Sequence, residues 1–158
     1  MESALLSAPL GPPTHGYPRR MSSSPDISKA GRDGPGEAIG LVYGEMTAES
    51  VAATVPVAPQ VQQQFGLVHG GVYSTVAESI CSSATAIAVA PEGRIAMGQS
   101  NSATFLRPMT EGTIHALATR RHAGRTTWLW DVDFSDDAGR LCATVRMTVA
   151  VRDAPADA

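Results

Sequence analysis

The sequence predicts an α+β domain in which an antiparallel sheet wraps one long helix. Three observations predict it. Only one stretch, about Gly71 to Ala90, sustains helical spacing of apolar and small residues. Two stretches before it and four after it read as strands, most with period-two alternation. Short turns join the later strands, which makes antiparallel neighbours of them. The predicted order is β-β-α-β-β-β-β.

Residues 1–37 are rich in Pro, Gly and Ser, from Gly11-Pro12-Pro13 to Gly34-Pro35-Gly36. Too few of them can bury apolar surface to offset the entropy of ordering, so the sequence predicts a disordered leader. Met21 within it is a second candidate start. Ile39–Met46 reads as a first strand weakened by glycines. In the second, Val51, Ala53, Val55 and Val57 alternate with Ala52, Thr54 and Pro56. Pro56 and Pro59 end it, and a loop runs from Gln60 to Gly66. On the helix, Val72, Val76, Ser79, Ser83, Ala86 and Ala90 are predicted to face the sheet. Thr75, Glu78, Ser82 and Thr85 share a second, lateral stripe. Pro91-Glu92-Gly93 stops the helix.

The later strands are Ile95–Leu106, Thr113–Arg121, Thr126–Phe134 and Arg140–Val151. Ile114, Ala116 and Ala118 mark the inner side of one, and Trp128, Trp130, Val132 and Phe134 that of the next. Asp136-Asp137-Ala138-Gly139 reads as a hairpin turn. In the last strand Leu141, Ala143, Val145, Met147, Val149 and Val151 point inward, against Arg140, Thr144, Arg146 and Thr148. The predicted domain covers residues 38–152, with a flexible tail at 153–158.

At 158 residues the chain fits one domain. Its formal net charge of −3 implies no general affinity for nucleic acid. Lys29 is the only lysine, so cationic chemistry rests on arginines, which suit phosphates. Cys81 and Cys142 fall inside predicted elements and read as buried thiols in a reducing compartment. No run of about 18 apolar residues predicts a membrane span. No secretion signal opens the chain, so the cytoplasm is the expected location. His15, His69, His115 and His122 show no metal-ligand spacing, and no phosphate-gripping glycine loop is present.

Two features carry chemistry. Glu78 sits two turns inside the helix, among small uncharged neighbours, with no other acid or base on the helix before Glu92. It reads either as a solvated surface acid or as a nucleophile or general base in a dry cleft. His69-Gly70-Gly71 opens the helix. It reads either as a capped turn or as a site where free backbone N–H groups polarise a carbonyl. Arg107, Arg120, Arg121 and Arg125 at strand ends read as a solvated rim or as a grip on phosphates.

Several segments together resemble a known family: Gly66-Leu67-Val68-His69-Gly70-Gly71-x-Tyr73-x-x-x-Ala77-Glu78, Gly98-Gln99-Ser100-Asn101, Phe105-Leu106-Arg107-Pro108, His122 through Val132, and Asp136 through Ala143. In this order, across residues 38–152, they resemble the hotdog-fold acyl-CoA thioesterases of the PaaI-like superfamily. The likeness is to the 4-hydroxybenzoyl-CoA thioesterase branch, whose catalytic carboxylate is a helix glutamate. The resemblance implies a curved antiparallel sheet around the long helix, and homodimers that form two sites and pair again into homotetramers. It gives Glu78 the nucleophile or base role and gives Gly70 N–H the thioester carbonyl. Gln63 and His69 would orient the thioester, and Ser82, where the relative has threonine, would hold the hydrolytic water. Arg107, Arg125 and Thr126 fall where CoA phosphates bind. A C-terminal arginine of the relative falls near Pro155, so its contact passes to Arg152 or is lost. Ser83 replaces a glutamate, which alters the acyl pocket. No cofactor and no metal is implied. The expected reaction is hydrolysis of an aryl-CoA such as 4-hydroxybenzoyl-CoA. The alternatives are phenylacetyl- or short-chain acyl-CoA hydrolysis, and a non-catalytic acyl-CoA-binding module.

Overall fold

The computed structural model describes residues 34–155; most of the predicted leader and the end of the tail lie outside the described residues. Pro35–Ala38 form one helical turn, α1, although the sequence places residues up to 37 in the leader. Pro35 presets the backbone for the first helical position, and Ile39 N–H donates to its carbonyl at 3.3 Å. Strands β1 (Val42–Met46) and β2 (Ser50–Pro56) come next, then helix α2 (Gly70–Val89). They are followed by β3 (Arg94–Phe105), β4 (Thr113–Ala123), β5 (Thr127–Ser135) and β6 (Leu141–Asp153).

All six strands form one antiparallel sheet in the order β1-β2-β4-β5-β6-β3. Helix α2 touches β2, β3, β4, β5 and β6. Five flat strands would span roughly 19 Å, against about 10 Å for a helix, so the sheet must curve around α2 to reach it. That is the predicted fold.

Trp130, Phe134, Ile80, Ile114 and Met147 are fully buried between helix and sheet. Thr85 is buried too. Its Oγ1 donates to the Cys81 carbonyl at 2.7 Å and accepts the Trp130 Nε1–H at 3.1 Å, so neither buried group lacks a partner. Cys81 and Cys142 are free, buried thiols, as read from the sequence. An 18-residue window of Gly70–Glu92 reaches a mean hydropathy of 1.2, and 50% of it is buried in the fold.

Two details depart from the sequence reading. The buried helix face is Val72, Tyr73, Val76, Ala77, Ile80, Cys81, Ala84, Thr85 and Val89, not the stripe through Ser79, Ser83 and Ala86. Ile80 and Cys81 bury without needing partners, whereas serine hydroxyls would need them, so the helix is rotated to leave the serines toward the opening. Thr85 thereby leaves its predicted lateral stripe for the core. In β6, Leu141 is 41% exposed. A register shift opposite Phe134/Ser135 turns it outward and buries Cys142 in its place.

Candidate active site

The helix start is held from both sides. His69 N–H donates to Val61 O at 2.8 Å, and Val68 N–H donates to Met109 O at 2.9 Å. Gln62 braces the loop through Nε2, which donates to Gly66 O and Thr110 O. His69 is the N-cap residue: its Nδ1 accepts Gly71 N–H at 2.9 Å. An accepting Nδ1 places the neutral ring's proton on Nε2, free to donate elsewhere. Val72 N–H is taken by His69 O. Gly70 N–H has no acceptor among the described residues, and the Gln63 side chain likewise has no partner there. Both residues line a cleft of about 410 Å³ with Leu67, Val68, Phe105 and Arg107. One free, dipole-aligned N–H facing an apolar cleft suits a polarised carbonyl oxygen.

Glu78 lies elsewhere. It is on the exposed side of α2 and lines a second cleft of about 380 Å³ with Tyr43, Thr75, Ser79, Ser82 and Ser83. Its carboxylate has no hydrogen bond or ion pair among the described residues. One turn on, Ser82 Oγ is buried and without a partner among the described residues. Once the Ser82 side chain turns its hydroxyl into the cleft that it lines, a carboxylate and a hydroxyl at i and i+4 can hold a water or an acyl oxygen between them. Within one chain Gly70 and Glu78 do not meet: eight residues place them roughly 12 Å apart along the helix axis.

The four residues assigned to CoA phosphates separate as well. Arg107 lines the first cleft at the end of β3, and its backbone N–H donates to Cys142 O at 3.0 Å. Arg152 lies near the far end of β6, where Nη1 donates to Thr126 O and Val151 O at 2.8 Å each. Nine residues of strand separate Cys142 from Val151, roughly 30 Å. Arg107 and Arg125 keep guanidinium groups without partners among the described residues. Arg152 is already engaged as a backbone clamp, and Arg125 contributes its carbonyl to Arg94.

The structure adds residues that sequence reading assigned no role. Phe105, 57% exposed, lies over Gly70, where a Cβ would come within 2.6 Å of its Cζ. Tyr43 Oη is 3.3 Å from Ser83 Oγ at the wall of the second cleft. Gly98 underlies Glu78. Its signal in the sequence was a glycine inside a strand pattern, which marks a bulge or a close approach.

Residues 65–143 match the model of the thioesterase superfamily. The Pseudomonas aeruginosa protein PA1618 is 35% identical over 73% of this chain and 80% of its own. A crystal structure of a mutant of PA1618, described as a thioesterase, superposes with a TM-score of 0.75, covering 84% of this chain and 96% of the other. Thioesterase HI1161 of Haemophilus influenzae gives a TM-score of 0.75 at 28% identity, over 85% and 93%. Proofreading thioesterase EntH of Klebsiella pneumoniae is 33% identical over 72% of this chain and 82% of its own. With the helix-in-sheet fold and an unpartnered helix carboxylate, these likenesses place the chain in the thioesterase superfamily, as a hotdog-fold enzyme that hydrolyses thioesters.

Proposed function

We propose that the chain hydrolyses acyl-CoA thioesters, and in particular an aryl-CoA such as 4-hydroxybenzoyl-CoA, at a site shared between two copies. The observation that carries this reading is a Glu78 carboxylate without a partner among the described residues, in one cleft with Ser82, whose buried hydroxyl also lacks a partner there. Water adds across the acyl C–S bond; the acid forms and the CoA sulfur leaves with a proton. Glu78 attacks the acyl carbon or takes the proton of the attacking water held by Ser82. Gly70 N–H steadies the charge growing on the carbonyl oxygen, with Gln63 and His69 orienting the thioester. Arg107 and Arg125 take the CoA phosphates, and Thr126 and Arg152 flank the second of these.

The shared site is argued from β3. Its 12 residues end the sheet with one edge unpaired among the described residues, a template for a second copy. Antiparallel pairing about a two-fold at Ser102, with Gln99 passed over as the bulge that the register shift marks, puts Phe105 of one copy opposite Gly98 of the other. Phe105 covers Gly70 and Gly98 underlies Glu78, so that pairing joins the two half-sites. The aryl reading is supported by the second cleft, whose lining hydroxyls from Tyr43, Ser79, Ser82 and Ser83 suit a polar ring substituent. The likeness to proofreading thioesterase EntH favours a second reading, in which hydrolysis discards wrongly made thioesters.

Thiol release measured across 4-hydroxybenzoyl-, phenylacetyl- and short-chain acyl-CoAs tests the proposal. Glu78→Gln should keep the fold and lower kcat by at least ~10²–10⁴. Near-normal turnover of that variant would remove Glu78 from the mechanism. No release from any ester would leave the binding-module alternative.

A further inference from the structure

We propose that Gly98, set by a bulge at Gln99, is the positioning residue for the Glu78 carboxylate; the proposal rests on the catalytic reading of Glu78 above. The ladder between β3 and β6 pairs Ala96 and Gly98 with Val151 and Val149, and both valines are buried. Even-numbered residues therefore face the helix there. Beyond the register shift between Gly98 and Ser100, Asn101 and Ala103 pair with Met147 and Val145, which are also buried. There the odd-numbered residues face the helix. Gln99 is the extra residue that changes the phase. Gly98 and Phe105 are an odd number of residues apart, so in a regular strand they would face opposite sides. With the bulge both face α2, one beneath Glu78 and the other over Gly70.

No polar group fixes the Glu78 carboxylate among the described residues, so its place is set by shape. A Cβ at position 98 would lie 2.8 Å from Glu78 Oε1, 3.2 Å from its Cδ and 3.0 Å from Met147 Cε. Gly98 is not among the glycines of positive φ, so its backbone does not require glycine. Alanine would ordinarily strengthen a strand interior. What a side chain would displace is the carboxylate, with the end of Met147 beside it. Holding an acid by packing alone leaves its oxygen lone pairs free for water or the thioester, whereas a hydrogen-bonded anchor would occupy them. The groups that a methyl would meet are the ends of two flexible side chains, so Gly98→Ala should fold and displace them.

The test compares Gly98→Ala in the wild-type and Glu78→Gln backgrounds, with a crystal structure of the single variant. The melting temperature should stay within a few degrees, and the carboxylate should move by about 1 Å or more, enough to lower kcat at least roughly tenfold with KM within about twofold. In the Glu78→Gln background the same change should alter the residual rate less than about twofold, because the group it misplaces is gone. Adding Met147→Leu, which withdraws the other crowded atom at nearly conserved volume, should not restore kcat. An unmoved carboxylate, an unchanged kcat, an equal loss in both backgrounds or rescue by Met147→Leu would each overturn the proposal. Normal turnover by Glu78→Gln alone would overturn the catalytic reading instead, whatever Gly98→Ala does.

Discussion

If Gly70 and Glu78 act together only across two copies, lesions in the two half-sites must complement. The paired variants are Glu78→Gln and Gly70→Ala. The first removes the acid. The second places a methyl 2.6 Å from Phe105 Cζ and 2.9 Å from Cε2, so the ring must move into the cleft beside the polarising N–H. In a mixed dimer of these two chains, one site carries both lesions and the other carries neither. Random exchange of equal amounts makes half the dimers mixed, each with one intact site of two, so activity should recover to about a quarter of wild type. The variants are unfolded together, refolded and assayed for thiol release, with native mass spectrometry counting mixed dimers. Recovery no greater than the parents' average, despite mixed dimers at the expected abundance, would refute the shared site. Gly70 and Glu78 would then act in separate clefts, and the β3 two-fold would lose its motive.

Arg107→Ala should raise KM and leave kcat nearly unchanged, because a phosphate contact remote from the thioester holds ground state and transition state alike. A charge-assisted contact of about 1.5–3 kcal/mol predicts roughly tenfold to a hundredfold in KM, read from saturation curves with the CoA ester. Burial pushes the Tyr73 hydroxyl up to about 12, with the neighbouring Cys142 adding to the shift. The folded state thus holds this proton more tightly than the unfolded one. The stability it contributes is complete below the ordinary phenol range and is lost as pH rises toward 12, a change on the order of 2–3 kcal/mol. Urea unfolding from pH 9 to 12 should show that decline; the Cys81 thiol, which burial also pushes up, adds to it over the same range, so Tyr73→Phe should make the fall shallower without abolishing it.

Much of the fold was legible because single-strand alternation and helix period report burial directly. The buried Val145, Met147, Val149 and Val151 in β6, and Trp128 through Phe134 in β5, follow the period-two pattern. The rotation of α2 was not legible. Val72, Val76, Ser79 and Ser83 fit helical spacing as well as Val76, Ile80 and Ala84 do. What decides between them is that Ile80, Cys81 and Ala84 bury without needing partners, while Trp130 of the sheet supplies one for Thr85. The phase change in β3 was hidden for a related reason. An extra residue shows only against its partner strand: Gly98 inside a strand pattern marks a bulge or a close approach, but not which residue is the extra one. The site residues were found by type and motif, but their division between two clefts depends on how far along α2 each one sits.

The open face of α2 argues for cover by something other than water. A solvated helix face ordinarily carries acids and bases paired three or four residues apart. Along Gly70–Val89 the only charged side chain is Glu78, and the residues around it are Thr75, Ser79, Ser82 and Ser83. Hydroxyls of this size add little solubility and little helix propensity. They suit a surface on which another backbone or an acyl group comes close. The unpaired edge of β3, whose neighbours Met97 and Phe105 are 47% and 57% exposed, lies beside that face. A helix face with a single charge, a sheet edge open among the described residues and a buried serine oxygen without a partner there all support the proposal of a second copy that carries Gly70 to Glu78 with a substrate between them.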